Sequence, residues 1–163
     1  MADVPLMSGM VGEDNLLWDT WTNSTVKVKD TLMTLQNNIV TAKQNAGYTS
    51  DTFLYLFDHP VPQDHIHTPD AKGAKHSYDL AYFFGNFAEN RPWTDADREL
   101  SKRMMGYLVN FCKTGNPNGE SAQTWPASIG DYSYMQFKNT CSMEQIAQEQ
   151  YIAVNNHYKL NLG

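Results

Sequence analysis

Apolar positions along this chain fall alternately into helical and strand periods. From Val28 they recur at Leu32, Leu35, Ile39, Ala42 and Ala46, in steps of four and three that trace one helix face and stop at Gly47. Lys27, Lys29, Gln36 and Lys43 take the other side. Thr52–Phe57 is a short, continuous apolar and aromatic run, the pattern of a strand buried on both faces. Residues 4–7 predict a brief strand ended by Ser8 and Gly9, and a polar loop with Gly12, Glu13, Asp14 and Asn15 follows. Pro60, Pro62 and Pro69 mark a long loop, after which helical character resumes over residues 77–84.

The best-punctuated element starts at Thr94, a natural N-cap followed by Asp95, Asp97 and Glu99. Leu100, Met104, Leu108 and Phe111 line one face of this helix, and Gly115 with Pro117 stops it. A strand is predicted over residues 132–137. A last helix is then predicted, with Ser142 and Gln145 as a capping box and Met143, Ala147, Tyr151, Val154 and Tyr158 as its stripe. Strands separated by helices predict an α/β fold of about three strands with three to four helices. A wholly apolar strand needs neighbours on both sides, so the sheet is expected to be incomplete. Those neighbours are expected from a missing segment or a second copy of the chain.

Charge narrows the partners. With 12 Lys and Arg against 18 Asp and Glu, the net charge is −6, which offers no footprint for nucleic acid or an anionic membrane. No apolar run approaches the ~20 residues of a spanning helix. The opening Met-Ala-Asp-Val-Pro-Leu has neither the basic start nor the apolar stretch of a signal peptide. At 163 residues, positions 1–163 are expected to form a single segment of one domain.

Cys112 and Cys141 show no metal-ligand spacing, and Cys112 falls on the apolar side of its helix, where a buried free thiol is expected. His65 and His67, near His59 and flanked by Asp58, Asp64 and Asp70, have spacing that could reach one zinc-sized ion. Without a cysteine or an ordered set of supporting groups, a polar surface loop is the preferred reading. Trp18, Trp21, Tyr78, Tyr82 and Phe83 suit a pocket wall, although core packing is their more common use.

The candidate chemistry lies in Gly73-Ala-Lys-His-Ser-Tyr-Asp-Leu-Ala-Tyr-Phe-Phe-Gly85. His76 follows a buried strand by a loop, the place where α/β sheets present functional groups, and imidazole suits proton transfer near neutral pH. Gly73 and Ala74 let the backbone come close to other groups, and Asp79 stands close enough to contact the same turn.

This segment resembles the histidine segment of type-B carboxylesterases, the family that includes the cholinesterases. The strand before it (Phe53-Leu-Tyr-Leu-Phe-Asp-His-Pro60), the later Phe111-Cys-Lys-Thr-Gly-Asn-Pro-Asn-Gly119, and Trp125-Pro126 are similar to further pieces of that family, in family order over residues 50–138. The resemblance implies the C-terminal portion of an α/β-hydrolase, hydrolysis of carboxylic esters and no cofactor or metal. It implies His76 as the general base, and an acid partner at Asp14 with Glu13 beside it as the alternative.

The nucleophile of such enzymes sits in a Gly-x-Ser-x-Gly elbow upstream of the acid. Only thirteen residues precede Asp14, and none forms an elbow. Gly119-Glu-Ser121 imitates one without its closing glycine or a feeding strand, so Ser121 is read as a decoy. The chain is therefore expected to supply a histidine and an acid, to lack the serine, and to be inactive alone. Its expected partners are a small ester, in the complete enzyme, and a missing N-terminal part. The other reading is a non-catalytic assembly module that self-associates through its open sheet.

Overall fold

The computed structural model describes residues 2–14, 28–63, 73–119 and 123–158. Four strands and four helices follow one another in the order β1 (Leu6–Val11), α1 (Val28–Asn45), β2 (Thr52–Phe57), α2 (Asp79–Phe84), α3 (Asp95–Thr114), β3 (Ser133–Phe137), β4 (Cys141–Gln145) and α4 (Gln148–Tyr158). The strands form one sheet in the order β1-β2-β3-β4. Pairing is parallel between β1 and β2 and between β2 and β3, then antiparallel between β3 and β4. This is an open α/β sheet, as the alternating periods predict.

Strand β2 is buried on both faces, and its side chains feed two cores. Phe53 and Phe57 pack with Tyr82, Leu100, Met104, Tyr107, Trp125 and Phe137 on the side of α2 and α3. Leu54 and Leu56 pack with Met33, Val40, Tyr134 and Ile146 on the side of α1 and α4. Alternation along a strand sends neighbouring residues to opposite faces, which is why both sets must be apolar here. Both neighbours of β2, however, come from the chain itself. The expectation that another copy or a missing segment must flank it is corrected: among the described residues the edges of the sheet are β1 and β4.

Strand β1 runs past Ser8 and Gly9 instead of ending there. A Cβ on Gly9 would collide with the Tyr55 ring of the neighbouring strand, so glycine permits the close approach rather than stopping the strand. At the other edge, Cys141–Gln145 is strand β4 and not the cap of the last helix. Its register pairs Met135 with Met143 and Phe137 with Cys141. The run lacks β-branched residues, so its strand character comes from pairing with β3 rather than from local preference.

Helix α1 occupies its expected span but turns a different face inward. Met33, Gln36, Asn37, Val40 and Lys43 are buried, while Leu35 and Ile39 are half-buried and Ala42 is exposed. Most buried polar atoms on this face find a partner, the exception being Asn37 Oδ1, which has none among the described residues. Gln36 accepts from the Ser8 hydroxyl at 2.7 Å, and Asn37 donates to the Met33 carbonyl at 2.9 Å. The Lys43 ammonium donates to the Val4 and Ser50 carbonyls and to the Ser50 hydroxyl at 2.9–3.1 Å. With those bonds made, burial of the polar side is tolerated.

Helix α3 follows its sequence signals closely. Thr94 and Asp97 form a reciprocal capping box, and the Gly115 N–H closes the last turn on the Phe111 carbonyl at 2.8 Å. Cys112 is exposed, which corrects its reading as a buried thiol. The inward face of α3 is set by Leu100, Met104 and Tyr107, and Cys112 lies off that stripe at the rim of a groove.

Candidate active site

The parallel pair β1–β2 brings two chain exits together at the carboxyl end of the sheet, where open α/β sheets place their ligand sites. The Gly12 N–H bonds to the Phe57 carbonyl at 2.7 Å, and the Glu13 N–H bonds to the Ala74 carbonyl at 2.8 Å. Glu13 and Lys75 form an isolated parallel bridge. The segment after β1 is thus pinned to the segment that carries His76.

Asp14 and His76 meet across this bridge. Asp14 Oδ2 lies 3.2 Å from His76 Nδ1. The Asp14 side chain is 9% exposed and that of His76 is 54% exposed. A carboxylate only accepts, so Nδ1 carries the proton of a neutral ring and Nε2 is left with its lone pair. Glu13 is turned elsewhere: its carboxylate fills the space beside Gly73, where an added Cβ would collide with it. Gly73 has φ +94°, a backbone state that excludes most other residues. Geometry therefore couples Asp14, rather than Glu13, to the imidazole.

Ser77, next to His76, has φ +65°. A non-glycine residue in that region stores roughly 1–3 kcal/mol of strain and persists only where the surroundings enforce it. Here the turn is enforced by the Tyr78 N–H bonding to the Lys75 carbonyl at 3.0 Å, directly before α2.

A cleft of about 190 Å³ opens at this point, lined by Gly9, Val11, Asp14, His76, Asp79 and Leu80. Asp79 is buried at its wall, and its Oδ2 accepts from the Tyr55 hydroxyl at 2.9 Å. Burial raises the Asp79 carboxyl above its ordinary pKa, against the opposing pull of the Tyr55 hydrogen bond. Tyr55 is driven far above the usual phenol range by burial and by that carboxylate. The sequence shows Asp79 near the histidine turn, but its pairing with Tyr55 is a tertiary contact that no local pattern reveals.

Leu80 also lines a second, more apolar groove of about 280 Å³, with Met7, Tyr55, Phe84, Leu108 and Cys112. Phe83 reaches this groove, Tyr82 lies in the core, and Tyr78 is covered by the Arg91 guanidinium at 4.8 Å from its ring. The pocket-wall reading thus holds for Phe83 alone of those three, while Trp18 and Trp21 lie outside the described residues.

Other ionisable groups nearby are engaged. Asp58 is neutralised by Lys29 at 2.5 Å and Lys138 at 3.0 Å, with Gln136 donating at 3.1 Å. His59 is buried against Asp97 at 2.8 Å. Among the described residues no set of three His, Cys, Asp or Glu side chains could hold a metal ion. His65, His67 and Ser121 lie outside the described residues. No serine hydroxyl among the described residues meets the His76 ring.

An open, mostly parallel sheet with an acid and a histidine on adjacent strand exits is the layout of an α/β-hydrolase. Comparison with known proteins carries the assignment further. The profile of the Carboxylesterase family matches residues 12–155, and the chain belongs to that family. It is 33% identical over 109 residues to Carboxylesterase 4A of Bos taurus, covering 67% of this chain and 19% of that one. It is 40% identical over 96 residues to the bile salt-activated lipase of Homo sapiens, covering 57% of this chain and 12% of the lipase. A solved structure of an esterase from Clostridium hathewayi, titled as able to hydrolyse aliphatic aromatic polyesters, superposes with a TM-score of 0.58 at 20% identity. That match covers 94% of this chain and 37% of the other, and it shows the shared fold. The chain thus spans only a minor part of the relatives it matches.

Proposed function

We propose that this chain is the part of a serine carboxylesterase that supplies the general base and its acid. His76 takes the proton of an attacking serine through Nε2 and returns it to the leaving alcohol. Asp14 holds the ring by Nδ1 and stabilises the imidazolium that forms. The observation that carries this reading is the 3.2 Å contact between Asp14 and His76 at the carboxyl ends of two paired parallel strands. Membership of the carboxylesterase family supports ester hydrolysis as the reaction class.

The serine and the donors that would stabilise the tetrahedral oxyanion belong to chain outside these 163 residues. A general base without them forfeits most of the acceleration, so the chain alone does not turn over esters. Hydrolysis of p-nitrophenyl acetate by this chain, with His76→Ala as the control, tests the reading. No turnover above buffer in either protein is expected. Turnover that disappears on His76→Ala would mean that the nucleophile is inside the chain. In a complete enzyme, Asp14→Asn should lower kcat by up to roughly 10⁴-fold, as the loss of the correct tautomer does in serine hydrolases. Unchanged kcat would remove Asp14 from the mechanism.

The second reading is an assembly module. It is favoured by the edge of β1, which is unpaired among the described residues, and by the apolar groove beside Met7, since such edges and patches favour association. Light scattering after size exclusion discriminates: a concentration-independent monomer would argue against it.

A further inference from the structure

We infer that Asp97 is a positioning residue for His76, because its single carboxylate ties down both ends of the segment that carries the imidazole. The inference rests on the reading of Asp14 and His76 as a working pair. Asp97 Oδ2 faces its own helix start and accepts from Thr94 N at 2.7 Å and Thr94 Oγ1 at 2.6 Å. That is ordinary capping, and it occupies one oxygen.

The other oxygen points into the core. Oδ1 takes the Tyr82 hydroxyl at 2.6 Å and His59 Nε2 at 2.8 Å, and neither contact contributes to the cap. His59 lies just past the end of β2, and Tyr82 lies on α2, beyond His76. The excursion that leaves the sheet, presents His76 and returns as α2 therefore begins and ends on one atom.

The buried pair looks like the Asp14–His76 pair but cannot do its work. The side chains of His59 and Asp97 are 6% and 2% exposed, against 54% for His76. His59 Nδ1 is buried and has no partner among the described residues. The ring therefore makes its one hydrogen bond by donating from Nε2 to a carboxylate that can only accept. Sealed among Phe57 and Tyr82, it meets no substrate, and its chemistry is spent on holding.

Helix α2 needs such holding. A helix of six residues has no stability of its own and takes its placement from tertiary contacts. Tyr82 supplies them twice: through its hydroxyl to Asp97, and through its carbonyl, which accepts from Ser101 Oγ at 2.8 Å. Both partners stand on α3. Where α2 sits decides where the turn before it holds His76 relative to Asp14.

The test reads the ring itself in the 163-residue chain. Nitrogen-15 NMR of neutral His76 distinguishes the Nδ1–H form, which the bond to Asp14 selects, from the Nε2–H form open to an unpartnered ring. The wild-type protein should hold mainly the Nδ1–H form, and Asp14→Ala should lose it. Tyr82→Phe, which removes one oxygen from the clamp, should forfeit at least half of the difference between those two, and His59→Gln should do the same. Met104→Ala, a core change on α3 that touches none of these bonds, should leave the ring as in the wild type.

If Asp14→Ala leaves the tautomer unchanged, the Asp14–His76 pairing itself fails. If Asp14→Ala shifts it but Tyr82→Phe does not, the pairing stands and the clamp is overturned. An equal shift in Met104→Ala also overturns the clamp, because general loosening then explains the effect. Should His59→Gln not fold, Tyr82→Phe decides alone.

Discussion

Gly73→Ala is the sharpest single perturbation of the site, because two independent penalties meet at one atom. The backbone there has φ +94°, and moving an L-residue into left-handed space costs roughly 1–2 kcal/mol. The new methyl would also land on the Glu13 carboxylate. That carboxylate is the end of a flexible side chain, so it can swing aside at the expense of an unfavourable rotamer, roughly 0.5–1.5 kcal/mol. Together these give an expected loss of about 1.5–3.5 kcal/mol, read as a drop in urea midpoint with unchanged m. Repeating Gly73→Ala in a Glu13→Ala background separates the two terms. The steric part should vanish there, leaving about 1–2 kcal/mol of backbone strain. If Gly73→Ala costs less than about 0.5 kcal/mol in the wild-type background, the loop does not hold this conformation, and the placement of His76 beside Asp14 loses its foundation.

Ser77→Gly should act in the opposite direction, stabilising the chain by up to about 1 kcal/mol through relief at φ +65°; a clear loss in urea melts would show the turn to be unstrained. Asp97 and Asp79 should respond to acid with opposite signs. For Asp97, burial alone would raise the carboxyl, but the hydrogen bonds from Thr94, Tyr82 and His59 outweigh it and hold the folded pKa below the ordinary value. Its contribution is therefore present above the unfolded value of about 3.9 and is lost as pH falls through the folded one. Asp97→Asn should destabilise at pH 7 and less so in acid, and a gap independent of pH would refute the assignment. Asp79 is raised by burial, so its contribution is full below about 3.9 and is lost as pH rises through the folded value. Asp79→Asn should accordingly gain stability over wild type at neutral pH and lose that advantage in acid; a loss at pH 7 would mean the carboxylate is compensated. Trp125 is fully buried and its Nε1 has no partner among the described residues, so Trp125→Ala should cost roughly 3–5 kcal/mol, while Trp125→Phe, which also removes that N–H, should cost markedly less. Equal costs would contradict that account of the indole nitrogen.

What the sequence makes legible follows from how local each signal is. Strand β2 is read at its full span because a strand buried on both faces leaves no polar alternation to confuse. Helix α3 is read because Thr94, Asp97 and Gly115 act within their own turns. The inward face of α1 is not legible, since the partners that let Gln36 and Lys43 be buried belong to Ser8, Val4 and Ser50, far along the chain. Strand β4 hides for the same reason: Cys141–Gln145 is extended because β3 lies beside it. At the site, His76 and Asp14 are named by motif resemblance, while Tyr55 against Asp79 and the convergence on Asp97 arise only once the strands are aligned.

The two margins of the sheet are chemically unlike. At β4 the run of like-directed strands has already turned back, and Ser142, Glu144 and Gln145 dress that flank with polar groups hostile to further addition. The β1 strand, Leu6–Val11, carries no charged side chain. A strand added beside β1 would therefore lie next to the strand that delivers Asp14 and beside the cleft, whereas one added beyond β4 would meet polar side chains.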